Sequence, residues 1–254
     1  MQKKIIDYQV ILIILLGFVL GIFAYFNAIQ SLINLQLDLK YSINDLLYII
    51  LVNKSFDTYE FLDRNNLFLY MNLFMFMISN LLISCSKFLI IPKSYHSFIY
   101  LRSKNRTKAL KMIRGNPIML EISYICSYFL GFFLGVFLGY PSKMIYLVKD
   151  MEGKLFLGLI GYLIVKIILI EVISQFIFIM YLMKDAAIAF LSGIILIFLF
   201  IFIDLVVESS FFILFNEEDA YVGSLFILTI LKGVLNKISY DWLRVDTILE
   251  GEYI

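Results

Sequence analysis

The chain has 254 residues, 62% of them hydrophobic and 16% charged, with a mean hydropathy of +0.92. Ordinary soluble domains run at about 45–50% apolar and about 25% charged, so a single water-soluble core is excluded and the bilayer must be part of the solvent. The net charge of +1 excludes nothing as a total; its distribution carries the information.

The N-terminus offers Lys3 and Lys4, then an apolar run from Tyr8 to Phe26. A signal-peptide apolar region is about 7–15 residues long and is followed by a small-residue cleavage site. This run is longer and no A-x-A site follows, so it reads as a retained first helix. A spanning helix needs about 20 mostly apolar residues to cross about 30 Å of hydrocarbon. Five segments meet that requirement: 8–29, 66–91, 118–139, 155–181 and 187–208. A sixth, 221–238, carries Lys232 and Lys237 in its second half, where a cytoplasmic interface would let both lysines snorkel. The expectation is an all-α polytopic membrane protein, residues 1–254 forming one transmembrane domain of six spans with both termini on the same side.

Loop charges set the orientation. The stretch 31–65 holds Asp38, Asp45, Asp57, Glu60 and Asp63 against Lys40, Lys54 and Arg64, and 209–220 holds Glu217, Glu218 and Asp219 without a base. The stretch 92–117 carries Lys93, Arg102, Lys104, Arg106, Lys108, Lys111 and Arg114 without an acid. Lys and Arg accumulate on the side that is not translocated, so this basic loop and both termini are expected in the cytoplasm. On the outer side, Ser42 followed by INDLLYIILV reads as a capped, short interfacial helix. Near 209–216, SSFFILF reads as a short interfacial or re-entrant element.

The basic loop also has a pattern. Tyr95, Phe98 and Ile99 stand at i, i+3, i+4, and Ala109, Leu110 and Ile113 repeat that spacing after a polar break at Ser103–Asn105. Charges lie on the opposite faces, so two short amphipathic helices joined by a turn are expected. Orientation alone, with basic residues resting on anionic headgroups, requires no aromatic-apolar stripe. A docking surface accounts for both features.

Three charges fall inside apolar spans: Lys166 and Glu171 in the fourth and Asp204 in the outer half of the fifth. Each is costly against lipid and should face protein or water. Lys166 and Glu171 are about 140° apart around a helix, so Lys166 is expected to pair with a neighbouring helix. The three share no evident depth, and lining a pathway and bridging helices both remain open. Gly17 and Gly21 form GxxxG in the first span, and Gly131, Gly135 and Gly139 extend the motif in the third. Small residues at this spacing let backbones approach, within the subunit or at a dimer seam. Cys85 and Cys126 form no metal or disulfide pattern and read as small apolar residues.

Catalytic constellations are not evident. His96 is the single histidine, which excludes HExxH metal chemistry. Glu217-Glu218 begins like the EExxxR of CAAX-type intramembrane proteases, but Val222 stands where Arg is required. Neither GxSxG nor GxxxxGK[ST] occurs, so a rhomboid-like serine site and a P-loop are both without an anchor. No catalytic or metal site is expected, and an intramembrane enzyme or a non-transporting membrane sensor or assembly factor is the alternative function class.

Six spans, a large outer loop after the first, an amphipathic basic loop after the second and a short apolar outer element after the fifth resemble the permease subunits of type-2 ABC exporters. The likeness is closest to small bacterial permeases of lantibiotic immunity and antimicrobial-peptide export. Locally it runs from Tyr59 to Ile122 and centres on Leu101-Arg102-Ser103-Lys104-Asn105-Arg106 followed by Leu110-Lys111. The resemblance implies a bacterial plasma-membrane subunit in a homodimer or heterodimer of permeases. It further implies two copies of a separate ATPase, with ATP and Mg held by that partner, no cofactor on this chain and no nucleic acid. Tyr95, Phe98, Ile99, Leu101, Arg102 and Arg106 would be the ATPase-docking residues, and the cargo a hydrophobic or amphipathic peptide. A short N-terminus and a weakly apolar sixth span depart from the pattern.

Overall fold

The computed structural model describes residues 2–34, 40–51, 67–90, 117–138, 146–148, 153–207, 212–214 and 221–242. The elements are α1 (Gln2–Asn34), β1 (Lys40–Ser42), α2 (Ile43–Leu51), α3 (Leu67–Ile90), α4 (Ile118–Leu138), β2 (Tyr146–Val148), α5 (Gly153–Met183), α6 (Ala186–Val206) and α7 (Tyr221–Trp242). Among the described residues the fold is all-helical apart from one small exception. β1 and β2 pair in parallel, Lys40 opposite Tyr146 and Ser42 opposite Val148, where the sequence pattern gave no strand.

Among the described residues, five stretches are long and apolar enough to cross a membrane: Tyr8–Gln30, Ile118–Leu138, Gly158–Met183, Ala186–Val206 and Tyr221–Ser239. A shorter apolar stretch, Tyr70–Ser86, lies in α3. Pro117 stands just before α4, where a missing N–H breaks no intrahelical bond, and its carbonyl accepts from Glu121 N at 2.9 Å. Lys184 and Asp185 alone separate α5 from α6, which forces those two helices into an antiparallel hairpin. Hydroxyls inside the helices are satisfied locally: Ser86, Ser123, Ser127, Ser192 and Thr229 each donate to a carbonyl three or four residues back. That habit suits a medium without water.

Contacts fix the helix directions. Gly17 meets Tyr124, Gly21 meets Tyr128 and Phe132, and Gly135 meets Tyr25, so α1 and α4 run parallel. α3 runs against α4, since Phe76 packs on Tyr128 and Phe129 while Ser84 reaches Glu121. Tyr162 meets Tyr221, Glu171 meets Lys232 and Gln175 meets Asn236, so α5 and α7 are also parallel. Phe74 packs on Phe198 and Phe88 on Phe178 and Tyr181, tying α3 to the α5–α6 hairpin. Successive long helices therefore alternate in direction. One end of the bundle, the near end, holds the start of α1, both chain ends that flank 92–117, the α5–α6 turn and the finish of α7.

α5 is the spine. In the most apolar 18 residues of its stretch Gly158–Met183, 67% are buried, against 17% in those of Tyr221–Ser239 in α7. Tyr162, Val165, Leu169, Ile170, Ile173 and Ile177 of α5 sit in one core with Leu73, Phe76, Met77 and Phe88 of α3 and Tyr124, Tyr128 and Phe132 of α4. Leu12 and Leu15 of α1, Leu191 and Phe202 of α6 and Phe226 and Ile230 of α7 are exposed, as lipid-facing residues must be. α2 is more enclosed than an interfacial helix: Leu46, Leu47, Ile49, Ile50 and Leu51 are all buried.

Candidate functional site

On α6 the residues Ala189, Gly193, Ile197, Phe200, Ile201 and Asp204 are buried. Their spacing of three and four defines one stripe, which packs on α5; a Cβ on Gly193 would stand 2.6 Å from Ile177 Cγ1. Asp204 is the far end of that stripe. It lies about 19 residues beyond the hairpin turn and Lys166 lies about 18 before it, so antiparallel packing brings both to one level. They are about 26 Å above the near ends of their helices at 1.5 Å per residue. Read along the chain, these charges share no evident depth. The hairpin supplies one for Lys166 and Asp204, whereas Glu171 lies deeper and faces elsewhere.

Between the two charges sits the backbone of Phe212–Leu214. Asp204 accepts from Phe212 N at 2.8 Å, from Leu214 N at 2.9 Å and from Ile213 N. Lys166 Nζ donates to the Phe212 carbonyl at 2.8 Å and to the Ile213 carbonyl. The ammonium also stands 4.3 Å from the centre of the Tyr162 ring, within cation–π range. Lys166 and Asp204 are fully buried, as are the three apolar side chains they hold. Phe212 packs on Phe200 of α6 with ring centres 5.1 Å apart and the rings tilted. A non-helical segment at this depth must satisfy its backbone inside the protein. Here two charged side chains do so, each bond of a kind contributing about 1.5–3 kcal/mol. Both charges are occupied by backbone groups, an arrangement suited to holding a segment rather than to acid–base chemistry.

A second polar set joins α5 to α7. Lys232 is paired with Glu171, and Gln175 donates to Asn236. Each helix contributes positions four apart, so the two pairs stack on one face. Lys232 thus meets a carboxylate in the bundle, a correction to its expected snorkelling to an interface. A third set lies at α3: Ser84 donates to the buried Glu121 of α4, and Asn27 of α1 donates to Asn72 at 3.0 Å. Glu121, Gln175 and Asn236 were not singled out from the sequence. A carboxylate within the first turn of an apolar run, as Glu121 is, was the available signal.

Gly17, Gly21, Gly131 and Gly135 all lie in the α1–α4 contact. A Cβ on Gly17 would meet Ser127 and the Tyr124 carbonyl, and one on Gly131 would fall against the Phe18 backbone. Gly139 lies outside the described residues, as do Tyr95, Phe98, Ile99, Leu101, Arg102, Arg106 and the rest of the basic loop. Of the outer element near 209–216, Phe212–Leu214 is described. No group of three or more His, Cys, Asp or Glu side chains able to hold a metal occurs among the described residues. Cys85 is buried and Cys126 exposed, and the two are not joined in a disulfide.

Apolar helices of this length, alternating in direction around a spine with enclosed charges, define a multi-pass α-helical membrane protein. No protein family, curated protein or solved structure matches the chain.

Proposed function

We propose that this chain is the transmembrane permease subunit of an ATP-driven ABC exporter in a bacterial plasma membrane. It would work as a homodimer or heterodimer of permeases, with two copies of a separate ATPase that hold ATP and Mg. The alternating helix directions carry the reading. Counting α3, 24 residues long, as a crossing gives six, with the start of α1, the finish of α7 and the helix ends that flank 92–117 all at the near end. The clustered bases make that the cytoplasmic end, where an ATPase would be reached. The short apolar element after the fifth crossing, which the resemblance to type-2 exporters leads one to look for, turns back into the bundle at Phe212–Leu214 on the opposite side.

In this reading ATP-driven closure of the ATPases moves the docked loop, and the helices shift as rigid bodies between two access states. The cargo is a hydrophobic or amphipathic peptide, in keeping with the acidic outer loops and aromatic-rich helices. The docking claim rests on Tyr95, Phe98, Ile99, Leu101, Arg102 and Arg106. Phe98→Asp combined with Arg102→Glu should abolish co-purification of the ATPase while the permease still elutes as a monodisperse species. An ATPase that stays bound with normal turnover would refute the assignment.

A further inference from the structure

The frame around Phe212–Leu214 spans two helices: its cation comes from α5 and its anion from α6. Neither contacts a side chain of the segment through a hydrogen bond; all five bonds go to backbone N–H and C=O groups. The segment's apolar side chains add their own hold, Phe212 on Phe200 and Ile213 fully buried. Two consequences follow. Drawing α5 and α6 apart at this level breaks bonds on one side of the segment and leaves a charge enclosed on the other, which is costly. With the frame broken, the freed N–H and C=O groups need water, so the segment moves outward rather than staying in an apolar bundle.

We propose that Phe212–Leu214 is a latched plug at the far end of the bundle, held shut by Lys166 and Asp204 and released when α5 and α6 separate. The latch is bistable because partial separation retains only unpaired buried charges. It requires no ATPase and stands apart from the permease assignment, so either can fail without the other. Its chemistry also explains why two charges sit where apolar residues would otherwise pack.

The test reads water access at position 213 in the full chain in membranes. Ile213→Cys is introduced together with Cys85→Ala and Cys126→Ala, and labelled with a membrane-impermeant maleimide added to each face in turn. With the frame intact, labelling should be slow. Asp204→Asn, which keeps the shape and removes the charge, should raise the rate by about tenfold or more, and Lys166→Met should do the same. Folding is followed in parallel with a chain whose single cysteine is the fully buried Cys85, which should stay protected in both variants from a membrane-permeant maleimide. An unchanged rate at position 213 with Cys85 protected overturns the latch. If Asp204→Asn also exposes Cys85, Asp204→Glu decides, since it keeps the charge and shifts the carboxylate by one methylene. Faster labelling at 213 with Cys85 protected then supports the latch, and an unchanged rate overturns it.

Discussion

Replacing Gly21 by Ala adds one carbon at the tightest point of the α1–α4 contact. That carbon would fall on the Tyr128 carbonyl oxygen, 2.8 Å from Phe132 N and 2.9 Å from the Tyr128 carbonyl carbon. All three are backbone atoms of α4, so no rotamer change clears the clash and the helices must part. Ordinary carbon contacts lie at about 3.5–4.0 Å, and a gap of about 0.5–1 Å forfeits a quarter to a half of each contact across the seam. Overpacking of this kind costs about 1–3 kcal/mol, and the shared close approaches at Gly17, Gly131 and Gly135 put Gly21 in the upper half of that range. Alanine's better helix propensity offsets about 1 kcal/mol, leaving a net loss of about 1–2 kcal/mol. Gly223 on α7 is the control, because a Cβ there meets nothing within 4 Å. Gly223→Ala should be neutral or stabilising. Thermal loss of the monodisperse fraction in detergent is the assay, with about 2–4 °C expected per kcal/mol for a chain of this size. Gly21→Ala should melt below the parent chain and Gly223→Ala at or above it. If both move together, or Gly21→Ala melts no lower, helix proximity at this seam is not what holds α1.

Lys232→Met removes the ammonium beside the buried Glu171 and should cost about 3 kcal/mol, because a carboxylate enclosed in the bundle loses its counter-charge. In a Glu171→Gln background the same substitution should cost markedly less, and a double-mutant cycle of melting points with no coupling would refute the pairing. Cys126 is exposed on α4 and Cys85 is buried, so a small membrane-permeant maleimide should add one label per chain, at Cys126, by intact mass. Equal labelling of both cysteines would contradict the packing of α3 against α5.

The helices themselves were legible because lipid leaves the chain little choice: apolar runs of spanning length became α1, α3, α4, α5, α6 and α7 with ends shifted by a few residues. What the runs did not encode was their neighbours. GxxxG spacing marks a face that permits close approach, yet nothing in Gly17-x-x-x-Gly21 names α4 as the helix that approaches. The α1–α4 pairing is a product of the whole bundle's order, with α3 packed beside both. β1 and β2 escaped notice because three residues are too few to show an alternating pattern, and the enclosure of α2 depends on what covers it.

The charges divide in the same way. That Lys166, Glu171 and Asp204 would avoid lipid follows from solvation alone, but their partners depend on geometry. For Lys166 and Asp204 the geometry was within reach, since a two-residue turn places residues at equal distance from it at equal height. The third member of that site was not, because Phe212, Ile213 and Leu214 carry no polar side chain. They are recognised through peptide groups that every residue has, so no residue type advertises the contact. A site that reads only backbone leaves its mark on the residues doing the holding, and two opposite charges at one level in adjacent helices are the trace to look for. The same reasoning separates holding from catalysis. A catalytic Lys or Asp needs an open hydrogen-bonding direction toward a reacting atom, whereas here Asp204 faces three amides and Lys166 two carbonyls and a ring.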